Sequence, residues 1–128
     1  MEIETFNPCL MKSTVRGIDN PVVRIYPSGL ISFNKNASKV FSLKKGDRVL
    51  FHQDKSRPKD WYISFGIHGF KLGSFNQGDL RFNNKELQEK ISASILGNIK
   101  GKLIIPIVTL PQLHGEYTLY SLLTSNYT

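Results

Sequence analysis

The sequence predicts an α+β domain: a mostly antiparallel, strongly curved sheet of seven or eight strands with one short and one longer helix. Three observations predict it. Short β-branched and aromatic runs recur between Gly, Pro and Asn turn signals along most of the chain. Only two segments join a helix-start residue to a helical apolar stripe. At 128 residues the chain has the length of one domain, and eight Phe, five Tyr and one Trp supply bulky core material.

Residues 1–21 show neither period, mixing Pro8, Gly17, Asn20 and Pro21 with scattered apolar residues. They read as a flexible or loosely packed arm ahead of a single domain over 22–128. Val22 to Tyr26 is a β-rich run, Pro27-Ser28-Gly29 a turn, and Leu30 to Phe33 a second strand, which makes a hairpin. Asn34 then caps a short helix with Ala37, Val40, Phe41 and Leu43 on its inner face and Gly46 at its end. Arg48 to Gln53 and Trp61 to Phe65 are strands joined by a polar loop over 54–60, and Phe70 to Phe75 and Leu80 to Phe82 are two more. For the longer helix, Asn83 is the expected N-cap, with Glu86 three residues on and Phe82 and Leu87 placed as a hydrophobic staple. Leu87, Ile91, Ala93, Ser94 and Ile95 form its inward stripe, Lys85, Glu89 and Lys90 its wet face, and Gly97 its stop. Leu103 to Leu110 and Tyr117 to Leu123 complete the strands, and Pro106 puts the first of them at an edge or a bulge.

One self-similarity rises above composition. Gly29-Leu30-Ile31-Ser32-Phe33-Asn34 and Gly78-Asp79-Leu80-Arg81-Phe82-Asn83 share the pattern G-x-[IL]-x-F-N, 49 positions apart, each ahead of an expected helix. Two strand–helix–strand units would follow from a duplication; the same residues are also a general solution for a strand-to-helix junction.

Charge narrows the function. The net charge is +7, and residues 35–59 hold eight Lys and Arg against Asp47 and Asp54, so +6 of it falls in a fifth of the chain. Lys35, Lys39, Lys44, Lys45 and Arg48 are placed to hold phosphates, with Lys55, Arg57 and Lys59 extending the track. Trp61 or Tyr62, next to the basic loop, could stack a base; strand alternation sends the two to opposite faces, with Trp61 expected inside and Tyr62 outside. A solvated basic face is the plain alternative for the same charge.

Catalytic patterns are poor. His52, His68 and His114 stand apart without ligand spacing, and Cys9 is the single cysteine, so neither a metal site nor an internal disulfide is expected. Asp54 and Asp60 flank the basic loop without a reason to act as a pair, and Gly66 to Gly69 lacks the ending of a phosphate loop. No apolar run reaches the roughly 18–20 residues of a membrane helix, and Met1 to Thr5 lacks the layout of a secretory signal. The expectation is a cytoplasmic protein with no cofactor and no enzymatic activity.

The stretch Gly29-Leu30-Ile31-Ser32-Phe33-Asn34-Lys35-Asn36-Ala37-Ser38-Lys39-Val40-Phe41-Ser42-Leu43-Lys44-Lys45-Gly46-Asp47-Arg48-Val49 resembles, without a gap, the swapped-hairpin DNA-binding module of AbrB-like regulators and their antitoxin relatives. Gly29, Ile31, Phe33, Lys35, Phe41, Leu43, Gly46, Asp47 and Val49 match the family pattern. Asn34 replaces the usual Pro at the helix start, and Leu30 and Ser38 stand where Arg is common, which weakens two phosphate-contacting positions that the resemblance implies. The resemblance implies DNA binding and transcription regulation by a homodimer of exchanged hairpins, or a second repeat unit taking the partner's place within one chain. Residues 48–96, four strands and then a helix, are similar in element order alone to the PUR and Whirly binders of single-stranded nucleic acid.

The sequence thus points to a non-catalytic nucleic-acid-binding domain, a small DNA-binding regulator or accessory protein, with DNA favoured over RNA and no membrane partner. The competing class is a protein-interaction or structural module that oligomerises through edge strands such as Leu103 to Leu110, its basic face serving solubility.

Overall fold

Alternating burial along short β-rich runs builds two layers with one core between them. A computed structural model of the chain describes residues 20–74, 79–96 and 101–124, so the greater part of the expected arm lies outside the described residues. The described strands are β1 (Val22–Ile25), β2 (Leu30–Phe33), β3 (Arg48–Gln53), β4 (Trp61–Gly66), β5 (Phe70–Lys71), β6 (Gly73–Ser74), β7 (Leu80–Asn83), β8 (Leu103–Pro106), β9 (Gln112–His114) and β10 (Tyr117–Leu122). The helices are α1 (Lys35–Val40) and α2 (Lys85–Leu96).

The fold is α+β, with two antiparallel five-stranded sheets ordered β6-β7-β2-β1-β8 and β5-β3-β4-β10-β9. The single curved sheet expected from sequence bends at two corners. The run from Phe70 breaks at buried Leu72, so β5 pairs with β3 and β6 with β7. Leu72 is held there by backbone bonds to Gly46 and Asp47, each 2.8 Å. At the other corner the chain leaves β1 after Pro106, and Ile107 bridges to Leu122 of the second sheet. Pro106 does sit on an edge strand, and its missing N–H coincides with the switch.

Strand alternation fills the interior from both sides. Val23, Ile25, Ile31 and Phe33 meet Val49, Trp61 and Ile63, and the Phe33 ring lies 6.4 Å from Phe51 and 6.5 Å from Phe65. Each such aromatic or branched side chain contributes about 1.5–3 kcal/mol when fully buried.

Both helices differ from their expected boundaries for local reasons. The Asn34 side chain accepts the Ala37 N–H at 2.9 Å and also the Val22 N–H at 3.1 Å, tying the start of α1 to β1. The helix stops at Val40, well short of Gly46, because Ser42 takes the left-handed conformation with φ 53°. Val40 is 50% exposed, so the inner face is Ala37 with Phe41 and Leu43. In α2 the cap is Asn84 and not Asn83: the Leu87 N–H donates to Asn84 Oδ1 at 2.8 Å, while Asn83 pairs with Leu30 as the last residue of β7. Ala93 is exposed, and Gln88 and Ser92 are buried beside Ile91 and Ile95. The expected stop at Gly97 lies outside the described residues.

The repeat extends into the pairing registers. Arg24↔Ser32 in β1–β2 and Gly73↔Arg81 in β6–β7 are separated by the same 49 positions as the sequence motif. The two motif strands pair with each other, Ile31↔Phe82 and Phe33↔Leu80, so Ser32↔Arg81 marks a local two-fold point. The later strands follow with a longer offset: Val49↔Phe65 corresponds to the bridge Ile107↔Leu122, and Ile63↔Tyr120 is the matching two-fold point in the second sheet. The chain therefore folds as two β-β-α-β-β units in pseudo-two-fold relation, with α2 twelve residues long against six for α1.

Candidate nucleic-acid interface

Three of the expected phosphate-binding lysines converge. Lys35 and Lys39 stand four apart in α1 and so share a face. The left-handed Ser42 folds the chain back, with the Leu43 N–H donating to Ser38 O at 2.8 Å, which returns Lys44 to the same side. A cleft of about 340 Å³ is lined by Lys35, Ser38, Lys39, Leu43, Lys44 and Leu80. No carboxylate is among these lining residues; Asp47, the nearest acid in sequence, accepts the Lys44 backbone N–H at 2.9 Å. Like charges one helical turn apart repel by a few tenths of a kcal/mol, a cost that a bound anion removes. Lys45 is exposed beside this cleft in sequence without lining it.

Arg48 does different work. Its guanidinium donates to Gly69 O at 3.0 Å and holds the turn between β4 and β5. That turn is tight: Gly69 has φ +121°, and a Cβ there would meet Val49 O at 2.5 Å.

The remaining basic residues lie beyond the far end of β3, a six-residue strand about 20 Å long. Lys55, Arg57 and Lys59 are exposed in the 54–60 loop. Arg57 Nε pairs with Asp60 Oδ2 at 3.2 Å, and the Lys59 carbonyl accepts the Thr124 hydroxyl, so two of the three positions also hold the loop together. Trp61 is 3% exposed, and its indole N–H donates to Ser94 Oγ at 2.7 Å, which docks α2. Its buried ring has no face for a base, whereas Tyr62 is half-buried on the outer side. The sequence-derived track is therefore two loci, one at each end of β3.

At this second end the strands assemble residues that looked isolated in sequence. His52, Gln53, Asp54, Lys55, Tyr62 and His114 help to line a groove of about 490 Å³, with Tyr117 and Leu119 across from them. The His52 and Tyr117 rings lie 4.8 Å apart, and His52 Nε2 shares a 2.7 Å hydrogen bond with Ser64 Oγ. Burial, followed by the charge of His114, lowers the His52 pKa below 6.5. Neither histidine carries a sequence motif, and only the pairing of β3, β4, β10 and β9 brings them to one groove.

Among the described residues no three His, Cys, Asp or Glu side chains form a metal-binding group, and no helix is long and apolar enough to cross a membrane. The chain matches no protein-family model, no curated protein and no solved structure.

Proposed function

We propose that the chain binds nucleic acid without catalysing a reaction on it, as a small regulator or accessory protein that prefers DNA, with the α1 cleft holding the phosphates. The convergence of Lys35, Lys39 and Lys44 around one cleft that no carboxylate lines is the observation that carries this reading. The resemblance of residues 29–49 to a DNA-binding module supports it, since the same lysines fall inside that stretch.

The pseudo-symmetry sharpens the point. Aligned on the helix N-caps Asn34 and Asn84, Lys35 corresponds to Lys85, and at the offset that relates Val49 to Ile107, Lys44 corresponds to Lys102; both turn onto the β1–β2 turn: Lys85 donates to Pro27 O, and Lys102 lies 5.5 Å from the Tyr26 ring. On the same cap alignment Lys39 corresponds to Glu89, so the first helix carries a cation where the second carries an anion.

The test is binding of a labelled random oligonucleotide of about 20 nucleotides, single- and double-stranded. Three neutralised duplex phosphates give a log–log salt slope of about −2.7, which weakens binding about fortyfold between about 50 and 200 mM salt. Lys39→Glu lowers duplex affinity about tenfold at the lower salt and leaves the melting temperature unchanged. Absence of binding at about 50 mM salt overturns the proposal.

A second reading rests on exposed apolar edges. Ile104 in β8 and Leu113 in β9 are 43% and 83% exposed, Leu110 between them is 74% exposed, and β8 and β9 are edge strands. An oligomer seen by light scattering that ignores both salt and nucleic acid favours this protein-interaction role over the first.

A further inference from the structure

The groove at the far end of β3 has a chemistry distinct from that of the α1 cleft. Alternation along β4 and β10 turns Trp61, Ile63 and Leu122 inward and leaves Tyr62 and Leu119 on the outer face. β10 pairs with β4 from Tyr120 onward, but from Tyr117 to Leu119 it pairs with β9. The β9–β10 hairpin therefore leaves the sheet at this point, and Tyr117 reaches the His52 ring.

The polar groups around the groove are sorted by the loop. Asp54 Oδ1 accepts the Ser56 N–H at 2.9 Å and the Gln53 amide donates to Pro58 O at 2.8 Å, so each commits one polar atom to its own loop while still lining the groove. The Ser64 bond fixes the His52 ring. Lys55 is the one ammonium among the lining residues and stands next to the Asp54 carboxylate, and the Gln112 amide and His114 imidazole add to the polar lining.

An occupant must offer a flat face to Tyr117 and Tyr62, hydrogen-bonding edges to Gln112 and His114, and negative charge to Lys55. Gln112 and His114 are exposed at the edge of the groove, where they can pair with the donors and acceptors that a nucleobase carries on its edge. The cavity, at about 490 Å³, falls within the range of small-ligand pockets. We propose that this groove is a binding site for one unpaired nucleotide, its base stacked on Tyr117 and Tyr62 beside His52 and its phosphate held by Lys55. A free mononucleotide and an unpaired base within a single strand share that chemistry. The site goes beyond the phosphate-binding reading of α1, because it uses none of that cleft's lysines and needs no duplex.

The experiment follows the ring-proton resonances of His52 and His114 in the full chain as AMP, adenosine, inorganic phosphate or a thymidine oligonucleotide is added. AMP shifts both histidines saturably, and adenosine shifts the same resonances with affinity about tenfold lower, the loss of one charge-assisted contact. Lys55→Gln, an exposed change that leaves the fold intact, brings AMP down to the adenosine level, and Tyr117→Ala removes the response to both. Displacement of AMP by the oligonucleotide at these resonances assigns the groove to unpaired bases, and its failure to displace assigns it to a free nucleotide. Absence of any response to AMP and oligonucleotide, an identical response to inorganic phosphate alone, or AMP affinity unchanged in both variants overturns the proposal. Lys39→Glu leaves AMP affinity unaltered, so a failure of duplex binding at α1 and a failure of this groove are read separately.

Discussion

His52 joins burial, charge and a ring contact in one side chain. Its lowered pKa means that between the folded value and 6.5 the unfolded chain binds more protons than the folded one. The stabilisation is therefore complete above pH 6.5 and is lost as the pH falls through that value toward the folded pKa. His114, Asp54 and Lys55 line the same groove, and the charge interaction with His114 lowers the His52 pKa in the same direction as burial does. Thermal unfolding from about pH 7.5 down to 5.5 should show a loss of melting temperature that His52→Gln reduces; an equal loss in the variant would assign the pH dependence elsewhere. None of this is legible from the sequence, where His52 and His114 are unrelated strand and turn residues. Tyr62 and Trp61 were legible as an inside–outside pair, because alternation follows from strand geometry alone. The charges of Arg48 and Arg57 were equally plain; their partners Gly69 O and Asp60 belong to turn and loop geometry that local pattern does not specify.

The start of α2 separates local signal from tertiary decision. Capping-box spacing to Glu86 points to Asn83 as the cap. The structure selects Asn84 because β7 continues through the Leu30↔Asn83 pair, and the Asn84 N–H then closes onto Gly29 O at 2.9 Å. Asn84→Ala should accordingly cost about 1 kcal/mol in chemical denaturation and Asn83→Ala only a few tenths. The reverse order would restore the sequence-based cap. The same principle explains strands that the pattern blurred. Phe70 to Phe75 reads as one strand, but Phe70-Lys71 and Gly73-Ser74 answer to different sheets, and Gln112 to His114, polar at both ends, becomes a strand only because Tyr117 to Leu119 pairs with it.

At the scale of the whole chain, the two units are interlocked and not merely adjacent. Each sheet contains strands of both, the central pairs β2–β7 and β4–β10 cross from one unit to the other, and Trp61 of the first unit bonds Ser94 of the second. The motif strands exposed this symmetry to sequence reading, but nine extra residues in the second unit, accumulated between the motif strand and β8, hide the later correspondence from any fixed-period comparison. Such interlocking leaves neither unit a core of its own, since Phe33 packs on Phe51 within its unit and lies beside β7 of the other. Unfolding should therefore be a single cooperative transition, with Trp61 emission and far-ultraviolet circular dichroism giving coincident curves. Phe33→Ala should destabilise the chain by about 3–5 kcal/mol and move both curves together, because the deletion opens a cavity shared by both units. Separate midpoints, or a Phe33→Ala effect confined to one probe, would mean that the units fold independently and that the pseudo-two-fold joins two stable halves.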